Sequence, residues 1–279
     1  MLLTSLNQKQ KQGFTLWWNQ FCSMTKKEFT VLTRYKFSFI ISFIQIFLIM
    51  FLFTAAALIL TPPDKASYGV GLMYYSFVLF MFISSALWDI GNSLREEQYQ
   101  GTLESLFMAP ISYFSSLLSR IIVNLIWIGS NVIVTFFTMS IVFGSLPVEN
   151  VVLGIFVLVL SMLVCFGFSF GFAGLALRYK ESMNTLTNFM QFALMVFCAM
   201  FFPFSALPDI IVIVSRLIPL SYCVDLFRST MIGVQPELLP LEFELIIILF
   251  FAIALPIFGI IFFRRTVQTA KKDGNLAEY

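Results

Sequence analysis

The chain is 279 residues long, 59% hydrophobic and 11% charged, with 35 Phe, no His and a formal net charge of +2. Soluble domains run at roughly 45–50% apolar and about 25% charged, so the solvent for most of this chain is lipid. The lack of His excludes Ser-His-Asp catalysis and His-ligated zinc or haem, and the small net charge argues against nucleic-acid binding.

Residues 14–36 come first. Phe14, Trp17, Phe21, Met24, Val31 and Tyr35 recur at helical spacing, with Lys26, Lys27 and Arg34 on other faces. This predicts an interfacial amphipathic helix with Trp17 and Trp18 at headgroup level. These polar residues contain no apolar core of the kind that marks a cleavable signal peptide.

Six apolar runs follow, at about 37–60, 70–90, 121–143, 151–177, 187–207 and 245–263. Each is long enough to cross a hydrocarbon core of roughly 30 Å. The predicted class is therefore an all-α integral membrane protein, a single domain over 1–279 with six transmembrane helices. Fourteen of the Lys and Arg residues fall before the first run, in alternate loops and in the tail, against three (Lys65, Arg216 and Arg228) in the other loops. That bias places both termini in the cytoplasm. Cys22, Cys165, Cys198 and Cys223 show no CxxC spacing and read as small packing residues. No metal-ligating cluster is expected.

Charge is concentrated between the second and third runs, in LREEQYQGTLESLFMAP from Leu94 to Pro110. Arg95, Glu96, Glu97 and Glu104 stand close together. Gly101 interrupts, Thr102 can cap a short helix starting at Leu103, and Pro110 ends it. Such a helix on the cytoplasmic side is a handle for a partner protein. Between the fifth and sixth runs, Ile210–Leu217 is too short to cross. Leu220–Met231 carries Asp225 and Arg228 at a spacing that allows pairing on a helix. Together they predict an external helical hairpin broken at Pro219.

REEQYQGTLESLFMAP after the second span resembles the signature of ABC-2 type transporter permeases. Arg95 and Glu96 match the family's charged pair, Gly101, Thr102, Leu103 and Glu104 its GTLE core, and Pro110 its proline. PLSY…D…R, comprising Pro219, Tyr222, Asp225 and Arg228, is similar to the family's re-entrant hairpin before the last span. The resemblance covers about residues 14–265. It implies that the loop, with Glu97 in it, forms a coupling helix docking on an ATP-binding cassette subunit. It also implies two permease copies, expected as a homodimer, with two ATPase copies, and export across the cytoplasmic (inner) membrane. No Gly-Lys pair occurs, so the P-loop sequence is absent. ATP and Mg are then bound by the partner, and this chain is not itself catalytic.

Polar residues within spans face a bundle interior or a cavity. Asn124, Asn131, Thr135 and Thr138 form one stripe, Asn184, Asn188 and Gln191 another, and Gln45 stands alone in the first span. They line a translocation path or only hydrogen-bond between helices. Gly167, Gly171 and Gly174 share one face and read as a packing surface. No charge sits mid-span, so an amphiphile (a drug-like molecule, a lipid or a lipid-linked glycan) suits the path better than an ion. The alternative is an integral membrane enzyme acting on lipids at the cytoplasmic interface, with Asp89, Glu96, Glu97 and Glu104 as its acids.

Overall fold

The computed structural model describes residues 18–30, 34, 36–62, 66–99, 113–144, 146–178 and 182–272. Residues 18–30 are helical. Then come α1 (Lys36–Leu60), α2 (Ala66–Tyr99), α3 (Tyr113–Phe143), α4 (Val151–Arg178), α5 (Met183–Phe197), a short 3-10 turn (Phe204–Ala206), α6 (Asp209–Ser215), α7 (Pro219–Ile232) and α8 (Leu241–Lys272). The described residues contain no strand. Only helices satisfy every backbone group within one segment where no water is at hand.

Among the described residues, five helices are long and apolar enough to cross a membrane: α1, α2, α3, α4 and α8. The second is the axis of the bundle. In it, 72% of the apolar window is buried, against 17% in α1 and in α8. The outer helices turn apolar side chains such as Phe37, Leu52, Ile141 and Phe250 outward. In a lipid solvent this exposure carries no hydrophobic penalty.

Interhelical contacts explain the arrangement. Tyr74 and Tyr75 on α2 donate hydroxyl hydrogen bonds to the carbonyls of Val132 and Pro147, at 2.9 and 2.7 Å. Ser169 on α4 donates to the carbonyl of Ala86 at 2.8 Å. The most extensive pairing is between α4 and α8. There Gly259 lies on the carbonyl of Gly167, and a Cβ added at Gly167 would stand 2.6 Å from the backbone nitrogen of Pro256. Gly174 packs against Phe262 on the same face, whereas Gly171 has nothing within 4 Å of an added Cβ. The packing role therefore belongs to Gly167 and Gly174.

One expectation is corrected. The run at 187–207 is not one helix. Its helix, α5, has 15 residues and ends at Phe197, about 22 Å long at 1.5 Å per residue. Cys198, Ala199 and Met200 then form a fully buried turn, with Ala199 at φ 48°. Pro203 before the 3-10 turn, and Leu207 and Pro208 after it, interrupt the helical path on the way to α6. The pair α6 and α7 is bent by 99°. Pro219 sits in the first turn of α7, where its missing N–H costs nothing. Gly233, at φ 82°, closes the helix in the left-handed conformation.

Candidate functional site

A hairpin that unwinds inside a membrane domain must find donors for its freed carbonyls. Arg228 on α7 supplies them. Its Nη1 donates to the carbonyls of Ala199 and Phe202 at 3.3 and 3.2 Å, in the stretch after α5. Ser215 on α6 donates to the carbonyl of Phe197 at 2.5 Å.

The same guanidinium holds Asp225, one turn earlier, through Nε and Nη2 at 3.3 and 3.2 Å. Both side chains are buried, at 2% and 0% exposure. Asp225 turns its second oxygen to the N–H groups of Glu237 and Leu238, each at 2.8 Å. Glu237 lies 3.6 Å from Arg228 and accepts from the Ser205 N–H at 2.5 Å. Phe204 stacks under the guanidinium, 4.8 Å from ring centroid to Cζ. Glu244, in the first turn of α8, accepts from the Leu239 N–H at 3.0 Å and lies against Asp225. Its other oxygen is buried without a hydrogen-bond partner. Tyr222 donates to the carbonyl of Arg216 at 2.7 Å, across the bend. One cation thus organises two carboxylates, two loop carbonyls and one aromatic ring. A buried pair is worth its desolvation only when its remaining bonding capacity is filled, as it is here for Asp225 and Arg228.

The spacing of Asp225 and Arg228 was visible in the sequence. Glu237 and Glu244 were missed because their approach is tertiary, with no local signal.

The other expected residues divide. Gln191 on α5 accepts from Trp88 Nε1 at 2.5 Å and donates to Ser84 at 3.1 Å, tying α5 to α2. Asn131 is fully buried and donates to the carbonyl of Trp127 on its own helix at 2.8 Å. Thr135 and Thr138 also bond back to their own helix, Thr135 at 2.8 Å to the carbonyl of Asn131 and Thr138 at 3.1 Å to that of Val134. Asn124 donates to Ser85 at 2.6 Å and to Asp89. Gln45 and Asn188 are exposed. In α3, Asn131 and Thr135 are fully buried, and in α5, Asn188 is exposed while Gln191 bonds to α2.

Arg95, Glu96 and Glu97 fall on the last turns of α2. Gly101, Thr102, Leu103, Glu104 and Pro110 lie outside the described residues, as does the helix expected from Leu103. At that end of the bundle, Glu28 of the N-terminal helix meets Arg120 of α3 at 3.5 Å. The half-buried ion pair is worth little energetically but marks where the segment lies.

Among curated proteins none matches the chain. The family model described as ABC-2 type transporter matches residues 19–232, from the N-terminal helix to the end of α7, across the charged loop and most of the hairpin. With several apolar helices and a match over most of its length, the chain belongs to the ABC-2 type transporter family and is a multi-pass membrane permease component of an ABC transporter.

Proposed function

We propose that this permease is the membrane half of an ATP-driven exporter that moves an amphiphile across the cytoplasmic membrane. The supporting observation is the family match across residues 95–110, where the REEQYQGTLESLFMAP motif stands. In this reading the chain crosses six times, and α5 with the α6–α7 hairpin makes up the crossing that no single helix spans. Both termini and the 95–110 loop are cytoplasmic, by the distribution of Lys and Arg. The hairpin end faces outward. ATP and Mg reside on two copies of a separate ATPase subunit, and the chain has no chemistry of its own.

Glu104 and its neighbours transmit closure of the ATPase pair to α2 and α3. A Glu104→Lys variant is expected to lose the ATPase subunit on purification, or to hydrolyse ATP without transport. Co-purification from native membranes followed by an ATPase and transport assay checks this. Normal transport by Glu104→Lys would remove the coupling role.

Two permeases face each other across the translocation path. Gln45 on α1 and Asn188 on α5 are exposed amides amid apolar residues such as Ile44, Leu48, Phe189 and Phe192. Lipid offers such amides no partner, whereas a second copy does. Asn188→Cys, in a chain with the exposed Cys22 changed to Ser, is expected to cross-link to itself on mild oxidation in membranes. A purely monomeric band on a non-reducing gel would place the interface elsewhere.

A further inference from the structure

We propose that Asp89 is the charge-recognising end of a substrate-entry site, and that its ligand is the cationic head of an amphiphile: an ammonium group on an apolar body. This rests on the exporter reading above and narrows the substrate class.

Asp89 ends the apolar stretch Ser67–Asp89 of α2, at the opposite end of the bundle from the hairpin. Its carboxylate accepts from Ser85, one turn back, and from Asn124 on α3. Those two donors orient the carboxylate, and both are neutral. No described Lys or Arg side chain pairs with it. This is the inverse of Asp225, whose charge is answered by Arg228 at 3.2 Å. An ionisable group that closes an apolar span beside a cavity is a functional-site signal, and a carboxylate calls for a cation. The residue is also exposed, so a ligand can reach it.

A cavity of about 20 Å³ adjoins the carboxylate between α2, α3 and α4. Its wall combines Ser85, Asn124 and Ser169 with Phe82, Met162 and Phe166. That volume takes one water or one methyl-sized group. It can receive the tip of an ammonium head but not the apolar body, which stays in the leaflet. Phe82 and Phe166 present aromatic surface, which attracts a desolvated cation through the ring quadrupole. Carboxylate and aromatic wall select charge sign at the head while leaving the tail unspecified.

The test uses two fluorescent probes with one body: diphenylhexatriene carrying a trimethylammonium group, and diphenylhexatriene carrying a propionate. Binding to the purified permease in nanodiscs of zwitterionic lipid is read by energy transfer from tryptophan, of which Trp88 adjoins the site. The wild type is expected to bind the cationic probe at least about tenfold more tightly than the anionic one, a difference of ~1.4 kcal/mol. Asp89→Asn is expected to abolish that preference, and Asp89→Glu to keep it. Equal binding of both probes by the wild type overturns the proposal, as does a charge preference that survives in Asp89→Asn. If Asp89→Asn does not fold, Asp89→Ser is read in its place with the same expectation, and a preference that survives in it overturns the proposal. Co-purification of the ATPase subunit with the wild type is scored separately. A complex that assembles and hydrolyses ATP but shows no cation preference sinks this inference and leaves the exporter standing. A cation preference in a permease with no ATPase partner does the reverse.

Discussion

Arg228→Ala is expected to destabilise the protein by about 3–5 kcal/mol, the range for breaking a buried ion pair by removing one member. Three losses coincide. Asp225, at 0% exposure, keeps its charge with only the N–H groups of Glu237 and Leu238 left to it. Glu237 loses the cation 3.6 Å from it. The carbonyls of Ala199 and Phe202 lose their donor in a site closed to water. Arg228→Lys restores charge without the planar fork and cannot serve Asp225 and two carbonyls together, so it should fall between the two. Asp225→Asn keeps an acceptor and removes a charge, and should cost less than Arg228→Ala. Thermal unfolding in nanodiscs measures all three. The network is decorative if Arg228→Ala melts within ~2 °C of the wild type, since a loss of even 1 kcal/mol shifts Tm by roughly that much or more.

Gly259→Val is the second large effect, and its cause is steric. A Cβ at Gly259 would overlap the carbonyl oxygen of Gly167 and stand 3.2 Å from Cβ of Phe170. The obstacle is backbone, which no rotamer change can move. Helices α4 and α8 must separate where they cross, close to Pro256 in α8. Overpacking of this kind costs about 1–3 kcal/mol or more, and here it falls on the largest interhelical contact of the fold. Gly259→Ala should already be felt. Gly171→Ala is the internal control, because an added Cβ there meets nothing within 4 Å. Removing an interior helix glycine gains about 0.5–1 kcal/mol in helix propensity. Opposite shifts of the melting temperature for these two glycines, on facing helices, are the expected signature. Similar shifts would show that α4 and α8 do not meet as described.

What could be read in advance follows from what is local. An unbroken apolar run fixes a long helix wherever lipid is the solvent, so α1 to α4 and α8 lie where hydropathy put them. The run through Phe197–Phe204 misled, because it is as apolar as a span. Helix α5 stops within it because the carbonyls it frees are taken by Ser215 and Arg228 from later elements. Pro203 and Pro208 were the available local signals. Asp225 and Arg228 announced their pairing by spacing. Glu237 and Glu244 could not, being brought in by a loop that reads as ordinary surface. Gln191 was visible as a polar residue in a span, but its bonds to Trp88 and Ser84 depend on how α5 leans on α2. Hydropathy located Asp89 at a span end without showing that Asn124 would reach it across helices.

The distribution of Arg228's partners along the chain bears on how the protein is made. Some partners, at Ala199, Phe202 and Phe204, precede the hairpin, while Asp225's bonds to residues 237 and 238, and Glu244 beyond them, follow it. A nascent chain released only as far as Ile232 holds an arginine and an aspartate whose enclosure is half missing, and hydrocarbon is hostile to such a pair. The hairpin must therefore wait at the membrane surface until the start of α8 has been synthesised. It then enters together with the last helix, so that biogenesis of the final third of the chain is a single concerted insertion event.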